Sequence, residues 1–227
     1  MKTGLAFSTG KDSLACLLMH KEQLENITVF WVNTGKNYPE TLKIVDFAKS
    51  VAPNFIEVIV DRVGQNDYNG IPADVVPINW TVSGQIIAGE KPIKIQSYLQ
   101  CCFENISQPL HNAAKAHEIT HLIRGQRNDE DMKATSRNGD VVDGITYLHP
   151  IENWTAFKVL QYISQHMELP SHYNLKHSSL DCFDCTAYQK DTKDVSLYRE
   201  KNHPDLHKQF LARKEKLDSA IREALEI

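Results

Sequence analysis

Residues 4–18, GLAFSTGKDSLACLL, constrain the fold more than any other stretch. Leu5-Ala6-Phe7 is a short apolar strand, Ser8-Thr9-Gly10-Lys11-Asp12-Ser13 is a tight polar loop, and residues 14–19 form an apolar helix face. A strand that passes through such a loop into a helix N-terminus makes an anion cradle. Loop amides and the positive end of the helix dipole converge there. Gly10 lets a phosphate approach the backbone, Ser8 and Ser13 add hydroxyl donors, and Lys11 adds a point charge. The second glycine and the Gly-Lys-Ser ending of a Walker loop are missing. The plainer alternative is a βα turn capped by Asp12 or Ser13, so the context of the loop has to decide.

That context is an alternation of strands and helices. Ile27-Thr-Val-Phe-Trp-Val32 and Phe55-Ile-Glu-Val-Ile-Val60 read as buried strands, and residues 39–51 have helical spacing with Pro39 in the first turn. Glycines and prolines break up residues 61–100, which read as an insertion with short helices over the sheet. Residues 102–117 read as a helix despite Pro109, and His121-Leu-Ile-Arg124 as a short strand. Residues 128–143 form a polar loop, Ile145-Thr-Tyr-Leu148 the last clear strand, and residues 155–166 a helix. From His203 onward Leu206, Phe210, Leu217, Ile221 and Leu225 share one helical face. The expected class is α/β: a Rossmann-like, mainly parallel sheet with helices on both faces and a helical C-terminal tail. Residues 1–190 would make the nucleotide-binding domain with its thiol site, and residues 191–227 the tail. A net charge of −4 argues against nucleic-acid binding by bulk electrostatics. No apolar run reaches the roughly 20 residues of a membrane span, and the chain opens directly into a strand, so a cytoplasmic protein is expected.

In an open α/β sheet, ligands bind beyond the carboxyl ends of the strands. Three polar strings fall there: residues 33–41, residues 124–130 and residues 150–154. Arg127 has the fork geometry to clamp a phosphate or sulfate. The five cysteines divide unevenly. Cys16 lies on an apolar helix face and reads as core. Cys101-Cys102 and Cys182-x-x-Cys185 form a four-thiol set that suits either an iron–sulfur cluster or structural zinc. The chemistry of thiols alone does not choose between them.

Taken in order, these motifs closely resemble the sulfonucleotide (adenylyl sulfate and phosphoadenylyl sulfate) reductase family of the PP-loop superfamily. The motifs are Ser8 to Ser13, Thr-Gly-x-x-Tyr-Pro-Glu-Thr at 34–41, Cys-Cys ahead of Pro109-Leu110, Gly125-x-Arg127-x-x-Glu130, Pro150-x-x-x-Trp154, and Cys-x-x-Cys-Thr at 182–186. The resemblance implies a PP-loop fold and an adenine nucleotide (ATP, APS or PAPS) at Ser8, Thr9, Gly10, Lys11, Asp12 and Ser13. Thr34, Gly35 and Glu40 would line the same cleft, with Arg127 on the anionic end. It also implies a [4Fe–4S] cluster on Cys101, Cys102, Cys182 and Cys185.

The departures are as informative. The family attacks the sulfate sulfur with a thiolate near its C-terminus, and no cysteine follows Cys185 here. Where the family has an Arg-Lys pair after Cys-Cys, this chain has Asn105 and Ile106. After Glu130 it has Asp131 in place of serine. Lys11-Asp12 also resembles PP-loop enzymes that split ATP between its α and β phosphates. Three readings follow: a reductase-family enzyme using a partner's protein thiol, an ATP pyrophosphatase that adenylates an acceptor (nucleic acid included) for thiolation, and a non-enzymatic nucleotide and redox sensor. No residue is assigned as catalytic.

Overall fold

The computed structural model describes residues 1–89, 94–130, 136–174, 179–187 and 193–226. In chain order the first elements are β1 (Thr3–Ala6), α1 (Lys11–Met19), β2 (Ile27–Asn33), α2 (Pro39–Val51), β3 (Phe55–Ile59), α3 (Arg62–Asn69), β4 (Ile71–Ala73), α4 (Val82–Ala88) and β5 (Ile95–Ser97). They are followed by α5 (Tyr98–Cys102), α6 (Gln108–Ala116), β6 (His121–Arg124), β7 (Val141–Val142), β8 (Ile145–Leu148), α7 (Ala156–Ser164), α8 (Lys193–Asn202) and α9 (Pro204–Leu225). Two compact units emerge: Met1–Asn33, Tyr38–Ile59 and Pro109–Leu180 in the first; Thr34–Asn37, Val60–Gln108 and Asp181–Ile227 in the second.

The first unit is built on a six-stranded sheet of order β3-β2-β1-β6-β8-β7, parallel except for the β7–β8 pair. Leu5 of β1 registers with Val29 on one side and Ile123 on the other. The period-2 alternation of strands then sorts their side chains. Leu5, Val29, Trp31 and Ile123 pack with Leu14 and Leu17 of α1 and Val159 and Ile163 of α7. Phe30, Leu122, Ile145 and Tyr147 point the other way and pack with Ala114 and Ile119. Burial on both faces explains the near-continuous apolar strands. From β1 the chain winds outward through β2 and β3, then returns to place β6 on the other side of β1. The boundary between β1 and β6 is thus the topological switch point, where ligands of open α/β sheets bind.

The fold is the α/β class expected, and the details depart from it in three places. Residues 102–117 run as α5, a π-helical turn at Phe103–Ser107 and then α6. The widened turn carries the chain past Pro109, which has no N–H to give. The 128–143 loop contains β7, joined to β8 by Asp143 and Gly144 at φ 51° and 81°. An Asp-Gly pair with both φ positive is a hairpin turn. In the second unit, the 61–100 stretch holds a two-stranded parallel sheet, β4 beside β5. Ala73 and Ile95 of that sheet pack with Leu217 and Ala220 of α9. The stripe on α9 is accordingly buried at Phe210 and Leu217 but exposed at Leu225. The 190/191 boundary and Asp131 lie outside the described residues. Among the described residues, no helix is long and apolar enough to cross a membrane.

Candidate functional site

In the first unit, the loop between β1 and α1 is fastened by one hydroxyl. The Ser8 N–H donates to Ser13 Oγ at 3.1 Å, the Ser8 and Ser13 hydroxyls are paired at 3.1 Å, and Ser13 Oγ donates to the Gly10 carbonyl at 3.0 Å. Ser13 therefore serves as a staple across the loop. The left-handed residue is Thr9, at φ 64°, whereas Gly10 has an ordinary φ of −72°. Gly10 is instead pressed by a neighbour, since a Cβ there would strike the Ser179 side chain.

A tighter approach occurs at Gly125, just past β6. A Cβ there would lie 2.5 Å from the Asp12 carbonyl carbon and 2.6 Å from Ser13 N. The backbone of the 125–130 string thus rests directly on the first turn of α1. This contact brings Arg127 to the loop. Its Nε lies 2.6 Å from Asp12 Oδ1, and Lys11 Nζ lies 2.9 Å from Asp12 Oδ2. The Arg127 contact is an ion pair rather than a hydrogen bond: among the described residues neither atom has a hydrogen-bond partner. Arg127 also pairs with Asp129 and, at 3.8 Å, with Glu130. Lys11, Asp12 and Arg127 are all buried. Two cations thus face three carboxylates. Burial, then the charge of Asp12, pushes the Glu130 carboxyl above the usual range. Arg127, expected as an anion clamp, is already held by carboxylates. Glu40 lies in the first turn of α2.

Thr34 and Gly35 belong to the second unit, as do all four paired cysteines. Gly35 takes φ 71°, in the left-handed region. The 182–185 turn closes with the Cys185 N–H on the Cys182 carbonyl at 3.0 Å. Thr34 Oγ1 pairs with Cys182 Sγ at 3.4 Å. Asn105 and Asn66 direct Nδ2 at Cys101 Sγ from 3.7 and 3.8 Å. Burial and then the charges of Cys182, Asp181 and Cys102 push the Cys185 thiol up to about 12, against the pull of an Ala187 amide. Burial also raises Cys182, against the opposing charge of Arg62. Burial alone would lower the Arg62 guanidinium; the charges of Cys182, Asp184, Cys101 and Cys185 outweigh it and leave it raised.

Asp184, between Cys182 and Cys185, was not legible as a functional position. Its carboxylate takes Arg62 NH1 at 2.9 Å and Arg213 NH1 at 2.6 Å. Cys101 and Cys102, adjacent on α5, diverge by about 100° around the helix axis. Among the described residues, no three His, Cys, Asp or Glu side chains are arranged to hold a metal ion. By donor chemistry, as distinct from arrangement, the set suits an iron–sulfur cluster or zinc: four thiols in one unit, two of them on one turn, with the Asn66 and Asn105 amides at Cys101 and the charge of Arg62 acting on three of the four. Cys16, in the first unit, is fully buried, and burial pushes its thiol up to about 12.

Sequence reasoning also missed His149. It is buried, its pKa is lowered by burial and then by Arg124, and it lines a pocket of about 540 Å³ together with Pro150 and Trp154.

The sequence matches the phosphoadenosine phosphosulfate reductase domain across residues 2–188. An adenosine 5'-phosphosulfate reductase from Salinibacter ruber is 28% identical over 193 residues, covering 80% of this chain and 67% of that protein. The crystal structure of phosphoadenylyl-sulfate reductase from Candida auris, a phosphate complex, superposes with a TM-score of 0.56. That match covers 82% of this chain and 83% of the other at 15% identity, and it is a likeness of fold.

Proposed function

The chain belongs to the phosphoadenosine phosphosulfate reductase domain family, and we propose that it is a sulfonucleotide reductase-type enzyme. In this reading it binds adenylyl sulfate or phosphoadenylyl sulfate and carries a [4Fe–4S] cluster on Cys101, Cys102, Cys182 and Cys185. The observation that carries the reading is the stapled 8–13 loop at the β1/β6 switch point, with Gly125 pressed against the first turn of α1. The first-turn amides of α1 have no partners within the helix and are suited to phosphate oxygens. Ser8, Thr9, Gly10, Lys11, Asp12 and Ser13 are the proposed loop contacts, with Glu40 and Arg127 in the same unit and Thr34 and Gly35 in the other. Residues 1–190 would act as the nucleotide domain with its thiol site, residues 191–227 as a helical tail, and the protein would work in the cytoplasm.

The chemistry assigned to such an enzyme is a two-electron reduction. A thiolate attacks the sulfate sulfur, and the bond from that sulfur to the phosphate oxygen breaks, so the nucleotide leaves with its phosphate. A second thiol then expels sulfite as a disulfide forms. Cys16 is buried with its thiol raised, and no cysteine follows Cys185 in these 227 residues. The reading therefore takes the attacking thiolate from a partner protein. A cluster, when bound, supplies a redox-active group whose potential follows local charge and hydrogen bonds to its sulfurs.

A second reading is favoured by the carboxylates gathered at the loop, of which Asp12 is buried. Asp12, Asp129 and Glu130 outnumber Lys11 and Arg127, which suits a cation-bridged triphosphate better than a bare sulfate. In that case the chain is an ATP pyrophosphatase that adenylates an acceptor for sulfur insertion. The experiment is to titrate anaerobically purified protein, wild type and Gly10→Val, with adenylyl sulfate, phosphoadenylyl sulfate and ATP plus Mg²⁺, and to identify the products. We expect at least tenfold weaker sulfonucleotide binding by folded Gly10→Val, and no sulfite from the chain with thioredoxin until a further protein thiol is added. Pyrophosphate release from ATP without sulfonucleotide binding would replace the first reading with the second. Equal affinity in both proteins would remove the loop from the site.

A further inference from the structure

The four thiols come from segments about eighty residues apart in sequence, and a partly buried polar chain inside the second unit joins them. Asp184, on the turn that carries Cys182 and Cys185, takes Arg213 NH1 from α9 at 2.6 Å. The same guanidinium donates through NH2 to Asn66 Oδ1 on α3. Asn66 Nδ2 in turn faces Cys101 Sγ at 3.8 Å. Arg62, one helical turn before Asn66, reaches Asp184 at 2.9 Å and is nearly inaccessible, at 3% exposure. Asn66 Nδ2 also donates to the Arg62 carbonyl at 2.8 Å, which locks the two positions of α3 together. The turn is held elsewhere by Arg199 NH1 on the Phe183 carbonyl at 2.5 Å and by the Phe183 N–H on the Lys36 carbonyl at 2.9 Å.

The charge count is unusual for a protein interior. Arg62 and Arg213 share one carboxylate, Asp184, which leaves one positive charge in excess among those three groups. A buried charge without a counter-charge costs several kcal/mol. The missing negative charge is at hand in the thiols. Four thiolates around a 2+ metal group carry a net charge of −2, whether that group is a [4Fe–4S] cluster in its 2+ state or Zn²⁺. Shortly after Cys101-Cys102 this chain has the uncharged Asn105 and Ile106. Asn105 hydrogen-bonds the Cys101 carbonyl and sulfur and brings no charge.

We propose that Arg62 and Arg213 are positioning residues of the four-thiol site: anchored together on Asp184, they balance its thiolate charge and tie the Cys182/Cys185 turn to Cys101. The C-terminal helix thereby acts on the site through a guanidinium. This rests on the reading of the four cysteines as metal ligands.

The test compares anaerobically purified wild type, Arg62→Gln, Arg62→Lys, Arg213→Gln, Arg213→Lys and Cys185→Ser. The readouts are iron, zinc and sulfide per chain, the rate of metal loss to a chelator, and, where iron is present, the midpoint potential. We expect Cys185→Ser to lose the metal. Each glutamine variant should lose metal to chelator at least tenfold faster than wild type, with the lysine variants in between. A cluster retained by a glutamine variant should be harder to reduce. A tenfold drop in its reduced-to-oxidised ratio at fixed potential corresponds to 59 mV for one electron. If a glutamine variant does not fold, its lysine counterpart carries the comparison. Wild type and Cys185→Ser with the same metal content would overturn the ligand reading itself. Metal lost by Cys185→Ser but held by both glutamine variants with wild-type kinetics and potential would overturn the role of the arginines alone.

Discussion

The 8–13 loop and the 182–185 turn both bury charge, and they balance it in opposite ways. At the loop, among the described residues, Lys11 and Arg127 meet Asp12, Asp129 and Glu130, so the cations are spoken for within the protein and one negative charge remains among those five groups. At the turn, among the described residues, Arg62 and Arg213 meet Asp184 alone, so one positive charge remains among those three groups until thiols ionise. The first arrangement already engages both cations: an incoming phosphate has to rely on amides, or displace a carboxylate, or bring a cation. The second is complete only when the thiols are anionic, which is the state a metal enforces.

The strongest way to break this contrast is Asp184→Asn. It keeps the shape of the side chain and removes the carboxylate shared by the buried Arg62 and the half-buried Arg213. Breaking a buried ion pair by deleting one partner costs about 3–5 kcal/mol, and a loss near 4 kcal/mol is expected for metal-free protein by urea unfolding. The loss should shrink in metal-loaded protein, because thiolates then supply negative charge. An unchanged unfolding midpoint in metal-free protein would mean that the arginines are not left in charge excess.

A smaller effect sharpens the other side. Gly125→Ala drives a Cβ to within 2.6 Å of the Asp12 and Ser13 backbone, which cannot swing away as a side chain can. Overpacking of this kind costs about 1–3 kcal/mol, and about 2 kcal/mol is expected, with weaker nucleotide binding as the loop is pushed off Arg127. Gly35→Ala is the control in the second unit. Among the described residues it meets no neighbour within 4 Å, and it carries the strain of φ 71°, about 1 kcal/mol. Equal losses for the two would remove the argument that close approach shapes the loop.

How much of this the sequence revealed follows the range of each interaction. The β1–loop–α1 unit and α2 are local: apolar alternation, a polar loop and Pro39 at a first turn specify them, and α2 occupies residues 39–51 as read. The β7–β8 hairpin is legible in Asp143-Gly144, but the polar residues around it read as loop. Strands β4 and β5, three residues each, are too short to show a period. The charge clusters were beyond reach. Arg62 and Asp184 are 122 positions apart, and nothing local marks them as partners. Arg127 was recognised as a candidate anion clamp, but that Asp12 holds it depends on Gly125 fitting against α1.

The smallest effect tests the sign of the charge at the loop. Glu130 is held partly from solvent, and burial and the neighbouring Asp12 raise its carboxyl above the ordinary value of 4.5, against weaker pulls from the Arg127 amide, Arg127 and Lys11. A carboxyl raised on folding contributes stability that is complete below its unfolded value and is lost as pH rises through the folded one. Glu130→Gln mimics the protonated acid, so its unfolding midpoint should match wild type at pH 4 and exceed it at pH 7. A quarter of the side chain remains in solvent, so the gain should stay below about 1 kcal/mol. The sign matters more than the size. Where Asp184→Asn should destabilise by leaving cations alone, Glu130→Gln should stabilise by relieving a surplus of carboxylates. Loss of stability at pH 7 would mean that Arg127 needs Glu130 as a counter-charge, and the loop would then be as short of negative charge as the turn.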